Sequence, residues 1–286
     1  MRKKFAEICK RRIAEKDDLF VLLGDIGVGA FLTEDELLYP HVMNMGIAEQ
    51  ALVCFAAGLN DATKKNVIVH TISSFLVERA FEQIKNCLGY NERKVILVSA
   101  NGPFDYEKLG PTHHCPNDVN LIAMIDGLDI FLPSFADEVP TIFDLAFASS
   151  RSSYIRLTSR VREELTPAYN GLSWNRCYLN GKKTRVKNAR KIIPDLTVIA
   201  LGESVTFALD QDYGDKTIEL IYGSMPLVPI DRSLVSCTDV LVLEPYVAPL
   251  IKLNGDTSGL NITRRNFSGV AKKVITSNLG WEDFRL

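Results

Sequence analysis

Continuous apolar runs rich in β-branched residues recur at helix-sized intervals: LFVLL (19–23), NVIVHT (66–71), VILVSA (95–100), DIFLPS (129–134) and SYIRLTS (153–159). Strands without polar alternation are covered on both faces, which in a globular chain marks a parallel sheet between two helical layers. The intervening segments, about 47–58, 74–88, 117–126 and 137–149, read as helices. A polar, basic stretch from about 160 to 194 breaks the rhythm, and a second α/β series follows with LTVIALG (196–202), TIELIYG (217–223) and DVLVLEP (239–245). The expectation is therefore α/β with two domains, each a mainly parallel sheet flanked by helices: residues 1–162, a basic linker 163–194, and residues 195–286.

Charge and composition remove several classes. A formal net charge of −2 argues against a nucleic-acid binder, and the basic run KKTRVKNARK (182–191) reads as a solvated connector. No apolar stretch approaches membrane-spanning length. The N-terminus is amphipathic, with Phe5, Ile8, Cys9 and Ile13 at helical spacing, so it is neither signal peptide nor anchor. Six cysteines are scattered without CxxC pairs, which reads as reduced thiols in a cytoplasmic protein.

Four motifs bear on chemistry. GDIGVG (24–29) lacks the spacing of a dinucleotide fingerprint and reads as a tight strand-exit turn. In NMGIAEQALVCFAAG (44–58), Ile47, Ala48, Ala51, Leu52, Phe55 and Ala56 supply an apolar helix face into which Glu49 is set, either as a partner of the helix dipole or for a chemical reason. SSFLVERAFEQIKNCLG (73–89) opens on a serine cap and offers Arg79 and Glu82 as an i, i+3 pair. FDYEKLGPTHHCPND (104–118) places His113 and His114 after a Gly-Pro turn and before a helix capped by Asn117, so that one imidazole can face a cavity while the other packs beneath. With His70 they put three histidines near strand ends, where open α/β sheets hold ligands; no third metal ligand has suitable spacing.

Taken together, NMGIAEQ, SFLVERAFEQI and YEKLGPTHH, in this order, resemble the C-terminal subunit of split transketolases, which holds the pyrimidine-binding and C-terminal domains of a thiamine diphosphate enzyme. The resemblance runs from the first residues to NLGWEDF (278–284) and is strongest in the first domain. It implies that Glu49 hydrogen-bonds N1′ of the aminopyrimidine and drives it toward the imino tautomer, which removes the C2 proton of the thiazolium. It implies stacking on the pyrimidine by Phe75, with Phe81 as the alternative, and an Arg79 that matches an arginine of related synthases. His113 would meet sugar hydroxyls or the reacting carbonyl, with His114 beside it, and Arg2, Arg156 and Arg160 are phosphate candidates.

The chain departs from the family in three places. Leu109 stands where many relatives carry an aspartate, and VLEPYVAPL (242–250) replaces an acidic pair followed by histidine and glycines. The strings GDI (24–26), GDK (214–216) and GDT (255–257) all lack the second glycine of the Mg²⁺-binding Gly-Asp-Gly motif. By resemblance, Mg²⁺ and the diphosphate belong to an N-terminal transketolase subunit, in a heterotetramer of two copies of each chain acting on sugar phosphates. The rival readings are a beta-type component of a 2-oxo-acid dehydrogenase, a deoxyxylulose-phosphate synthase-like carboligase and a non-catalytic structural subunit.

Overall fold

The structure is a computed structural model of the 286-residue chain that describes residues 1–162, 170–180, 184–185, 192–246 and 248–265. The first sheet contains β1 (Leu19–Leu23), β2 (Val42–Asn44), β3 (Asn66–Ile72), β4 (Ile96–Ala100), β5 (Leu128–Phe131) and β6 (Ser152–Leu157). Their order is β2-β1-β3-β4-β6-β5, and every neighbouring pair is parallel. The helices are α1 (Arg2–Lys16), α2 (Glu49–Thr63), α3 (Phe81–Gln83), α4 (Asp118–Ile122) and α5 (Val139–Ala148). Turns Ser74–Arg79 and Ile84–Tyr90 on either side of α3 are π-helical, so residues 74–90 form one wide-turned helix.

Successive residues of each apolar run point to opposite faces, and both faces are covered. Leu22, Val67, Val69, Leu97 and Tyr154 pack toward α2, the 74–90 helix and α4. Val21, Leu23, Ile68, Val98 and Ile155 pack toward α1 and α5. This is why the strands read as unbroken hydrophobic runs.

The second sheet is built from β7 (Asn175–Asn180), β8 (Thr184–Arg185), β9 (Leu196–Leu201), β10 (Thr217–Gly223), β12 (Asp239–Leu243) and β14 (Asn261–Arg265). Helix α6 (Ser204–Asp210) follows β9, and a parallel two-stranded ribbon pairs β11 (Ile230–Asp231) with β13 (Leu253–Asn254). The order is β14-β12-β9-β10-β7-β8, parallel except that β7 runs antiparallel to both neighbours. Strand β7 lies in the stretch expected to be a connector. Its buried Cys177 and Leu179 alternate with exposed Arg176 and half-buried Tyr178, so it lacks the continuous apolar signature of the other strands. Apart from β8, the basic run 182–191 lies outside the described residues, as does the terminal NLGWEDF.

The two sheets share one core and a polar seam. Ser134 Oγ donates to Gly223 O at 2.7 Å, and Ser224 O accepts from Leu132 N at 2.8 Å. Gly202, at φ +56°, lies where a Cβ would come within 2.9 Å of Leu132 Cβ, so glycine permits this approach.

Several local expectations are corrected. Helix α2 buries Leu52, Val53, Ala56 and Ala57, leaving Ala51 exposed and Phe55 43% exposed, while Ile47, expected on its apolar face, lies before the helix and is 71% exposed; a segment apolar nearly all round does not declare its inner face. Neither Ser73 nor Asn117 caps a helix through its side chain. Arg79 pairs across helices with Glu49 rather than with Glu82.

Candidate active site

Three strands of the first sheet deliver the candidate residues at their carboxyl ends, where an open parallel sheet leaves a crevice. After β2, Asn44 Oδ1 accepts from Asp25 N and Gly46 N, and Gly46 at φ +70° turns the chain into α2, whose first residue is Glu49. After β3, the π turn Ser74–Arg79 presents Phe75 and Arg79. After β4, the loop closes through 3₁₀ turns Glu107–Leu109 and Pro111–His113.

These residues form a continuous line. Glu49 is 1% exposed, and its Oε2 accepts from Arg79 Nη1 at 2.6 Å. The Arg79 guanidinium carbon stands 4.2 Å from the Phe75 ring centroid. The Phe75 ring meets His113 edge-on, with centroids 5.1 Å apart at 67°, and Tyr106 approaches His113 at 6.1 Å. Thr112 Oγ1 lies 3.0 Å from His113 Nδ1, which orients that ring. Glu49 Oε1 is buried and has no hydrogen-bond partner among the described residues. A flat heteroaromatic with a hydrogen-bonding edge fits this set: the open carboxyl oxygen would take the edge, and Phe75 would take the face.

The remaining expected residues are placed differently. His114 is 1% exposed and packs beneath His113 against Phe104, with its Nε2 3.4 Å from Glu107 O; burial holds its imidazole below the usual histidine range. Phe81 packs against the core instead of joining the Phe75 and His113 line. Arg160 stays 43% exposed, 3.6 Å from Glu107 on the loop that carries the two histidines. Arg2 is exposed at the start of α1 and shares a surface groove with Gly27 and Ala30. His70 is buried within β3, its Nδ1 2.9 Å from Val98 O, and burial pushes it down to about 4, so it serves the core.

Arg156 is a correction. It is 0% exposed in β6 and donates to Asp118 Oδ1 at 2.8 Å, Glu203 Oε1 at 2.8 Å and Pro245 O at 3.1 Å, so its donors tie the two domains together instead of reaching a phosphate. Burial outweighs the attraction of Arg156 and pushes the Glu203 carboxyl up to about 7. Tyr154 O–H also donates to Asp118, at 2.5 Å. Asp118, Tyr154 and Glu203 do not stand out in the sequence; the available signal is Arg156 itself, a cation inside a buried apolar strand, which requires buried partners. Glu244 of the altered VLEPYVAPL is likewise structural, accepting from Leu250 N, Ile251 N, Tyr246 O–H and Arg264. Among the described residues no group of three or more His, Cys, Asp or Glu side chains could hold a metal ion, and no helix is long and apolar enough to cross a membrane.

Fold and site together define an α/β protein of two mainly parallel sheets, with its candidate residues at strand carboxyl ends. The chain belongs to the family described as "Transketolase, pyrimidine binding domain", whose model matches residues 1–162, and it has the two-domain architecture of a C-terminal transketolase subunit. An apulose-4-phosphate transketolase subunit of Actinobacillus succinogenes is 29% identical over 228 residues, 77% of this chain and 68% of that protein. The protein of the same name from Phocaeicola vulgatus is 30% identical over 185 residues, 65% of this chain and 55% of that one. A solved structure described as a split gene transketolase, inactive beta4 tetramer, superposes with a TM-score of 0.64 at 20% identity, covering 99% of this chain and 94% of that one. The resemblance expected from the motifs is borne out.

Proposed function

We propose that this chain supplies the aminopyrimidine side of a thiamine diphosphate site in a transketolase-type enzyme that moves a two-carbon ketol unit between sugar phosphates. The observation that carries the reading is the buried Glu49 carboxyl, half of it unpartnered, in line with Phe75 and His113. Bound thiamine diphosphate would supply the nucleophilic carbon that holds the two-carbon unit. Glu49 exchanges a proton with N1′ of the pyrimidine, and its burial keeps bulk water from competing for that proton. Phe75 holds the face of the ring. His113, half-buried and oriented by Thr112, donates or accepts a proton at the sugar carbonyl or a neighbouring hydroxyl. Arg160 and Arg2 meet the sugar phosphate from the rim.

The Mg²⁺ and diphosphate half comes from an N-terminal partner subunit, two copies of each chain making the working assembly. The exposed Ile47, two residues before Glu49, and Phe55, further along α2, are apolar surface that such a partner would cover. The two apulose-4-phosphate transketolase relatives, each named as one subunit of its enzyme, and the inactive beta-only tetramer support a divided enzyme. Residues 1–162 form the pyrimidine-binding domain of a cytoplasmic protein, and the C-terminal domain takes in β7 and β8 from the expected connector 163–194 together with the strands from β9 onward. The test is to express the chain with a partner carrying the Gly-Asp-Gly motif and assay ketol transfer over a panel of sugar phosphates. Activity confined to the pair supports the reading. Activity of this chain alone, or failure of the pair on every ketose phosphate, overturns it.

A further inference from the structure

We infer that Arg79 is a built-in placeholder for the pyrimidine ring, occupying its seat in the free chain and leaving when the ring arrives; this rests on the reading of the site as a thiamine pocket. The guanidinium is flat, carries donors on its edge and exposes π faces. It takes the face of Phe75 that an aminopyrimidine would take, lying 4.2 Å from the ring centroid, and holds the same carboxyl through its other oxygen, donating to Glu49 Oε2 at 2.6 Å. Phe75 is also held by a near-perpendicular contact with His113, at 5.1 Å and 67°. Two flat groups cannot share the Phe75 face, and thiamine's thiazolium cation would be repelled by a guanidinium held beside it.

Comparison with Arg156 shows what a permanent buried pair looks like in this fold. Arg156 is 0% exposed and its donors reach two carboxylates and a carbonyl. Arg79 is 39% exposed and leaves Glu49 Oε1 without a partner among the described residues. Its side chain therefore has a path to solvent, and the carboxyl retains a free oxygen for the incoming ring. The π turn Ser74–Arg79 puts Phe75 and Arg79 on one side of the helix, where an i, i+4 pair can stack. The placeholder keeps the Glu49 carboxylate paired until the cofactor comes, and it lowers apparent affinity by the fraction of time the seat is taken.

The test uses the full chain and thiamine itself, which lacks the diphosphate and so does not need the partner's half of the site. Thiamine is titrated by ligand-observed NMR into wild type, Arg79→Ala, Arg79→Lys and the double variant Glu49→Gln/Arg79→Ala, with circular dichroism to verify the fold. Arg79→Ala is expected to bind thiamine on the order of tenfold more tightly than wild type, the factor by which a contact of this size holds the seat closed. Arg79→Lys, which keeps the charge but not the flat stacking group, falls between them, and Glu49→Gln abolishes the gain. If Arg79→Ala does not fold, the Arg79→Lys gain carries the test. A folded variant that binds more weakly than wild type makes Arg79 a holding residue and overturns the placeholder, while leaving the pyrimidine site standing. Binding that is equal or undetectable in every variant overturns the placeholder as well, and indifference to Glu49→Gln in addition removes the site reading beneath it.

Discussion

Replacing Arg156 by methionine keeps the length of the side chain while removing every donor at the centre of the domain junction. The wild-type guanidinium serves Asp118 and Glu203 at 2.8 Å each and Pro245 O at 3.1 Å with no exposure to water. Charged hydrogen bonds are worth about 1.5–3 kcal/mol each, and stripping one partner from a buried pair costs about 3–5 kcal/mol. Two features hold the loss to the lower end. Glu203, already pushed up to about 7, takes up a proton when the cation goes, and Asp118 keeps the Tyr154 O–H at 2.5 Å. The expected destabilisation is about 3 kcal/mol at neutral pH. Urea unfolding followed by far-ultraviolet circular dichroism reads it as a lower midpoint, with a broader transition as the two domains lose their common seam. Adding Glu203→Gln to Arg156→Met should recover part of the loss, because the second change removes the abandoned acid. A loss below about 1 kcal/mol, or strict additivity of the two changes, would refute this account of the junction.

Two buried groups give opposite pH slopes. His70 is pushed down to about 4 from its ordinary 6.5, so the unfolded chain binds more protons between those values, and the stability it contributes is complete above 6.5 and lost as pH falls toward 4. Glu203 is raised from 4.5 to about 7, so the fold binds the extra proton, and its contribution is present below 4.5 and lost as pH rises to about 7. Unfolding free energies at about pH 5 and 7 should therefore rise more steeply with pH in Glu203→Gln than in wild type, and less steeply in His70→Gln; slopes unchanged in both would refute the assignment. His113→Ala in the assembled enzyme should lower kcat by roughly a hundredfold, the usual contribution of a positioned acid or base. A change confined to KM would make His113 a binding group alone.

Legibility followed how each residue is buried. Strands β1 and β3 of the first sheet and β9 and β10 of the second announced themselves because nearly every residue in them is buried. Strand β2 hid because it is three residues long, and β7 because it alternates. Glu49, Phe75, Arg79 and His113 were legible through their motifs, and the fold brings them into one line. Their partners were not, since the Arg79 and Glu49 pair joins residues thirty positions apart on different helices. Arg156 is misleading because a strand-end arginine looks the same in sequence whether it faces a phosphate or two buried acids.

The central claim is that Glu49 relays protons to the cofactor. If Glu49 only decorates the start of α2, Glu49→Gln should cost no more than about 1 kcal/mol of stability and leave turnover nearly intact. If it is the relay, glutamine fills the same space and can still donate a hydrogen bond but cannot pass a proton. Hydrogen–deuterium exchange at C2 of thiamine diphosphate, bound to the complex of this chain with the proposed partner, separates the two most directly. The relay predicts exchange slowed by on the order of a hundredfold or more in Glu49→Gln, with cofactor binding affected far less; exchange at the wild-type rate in that variant would contradict it.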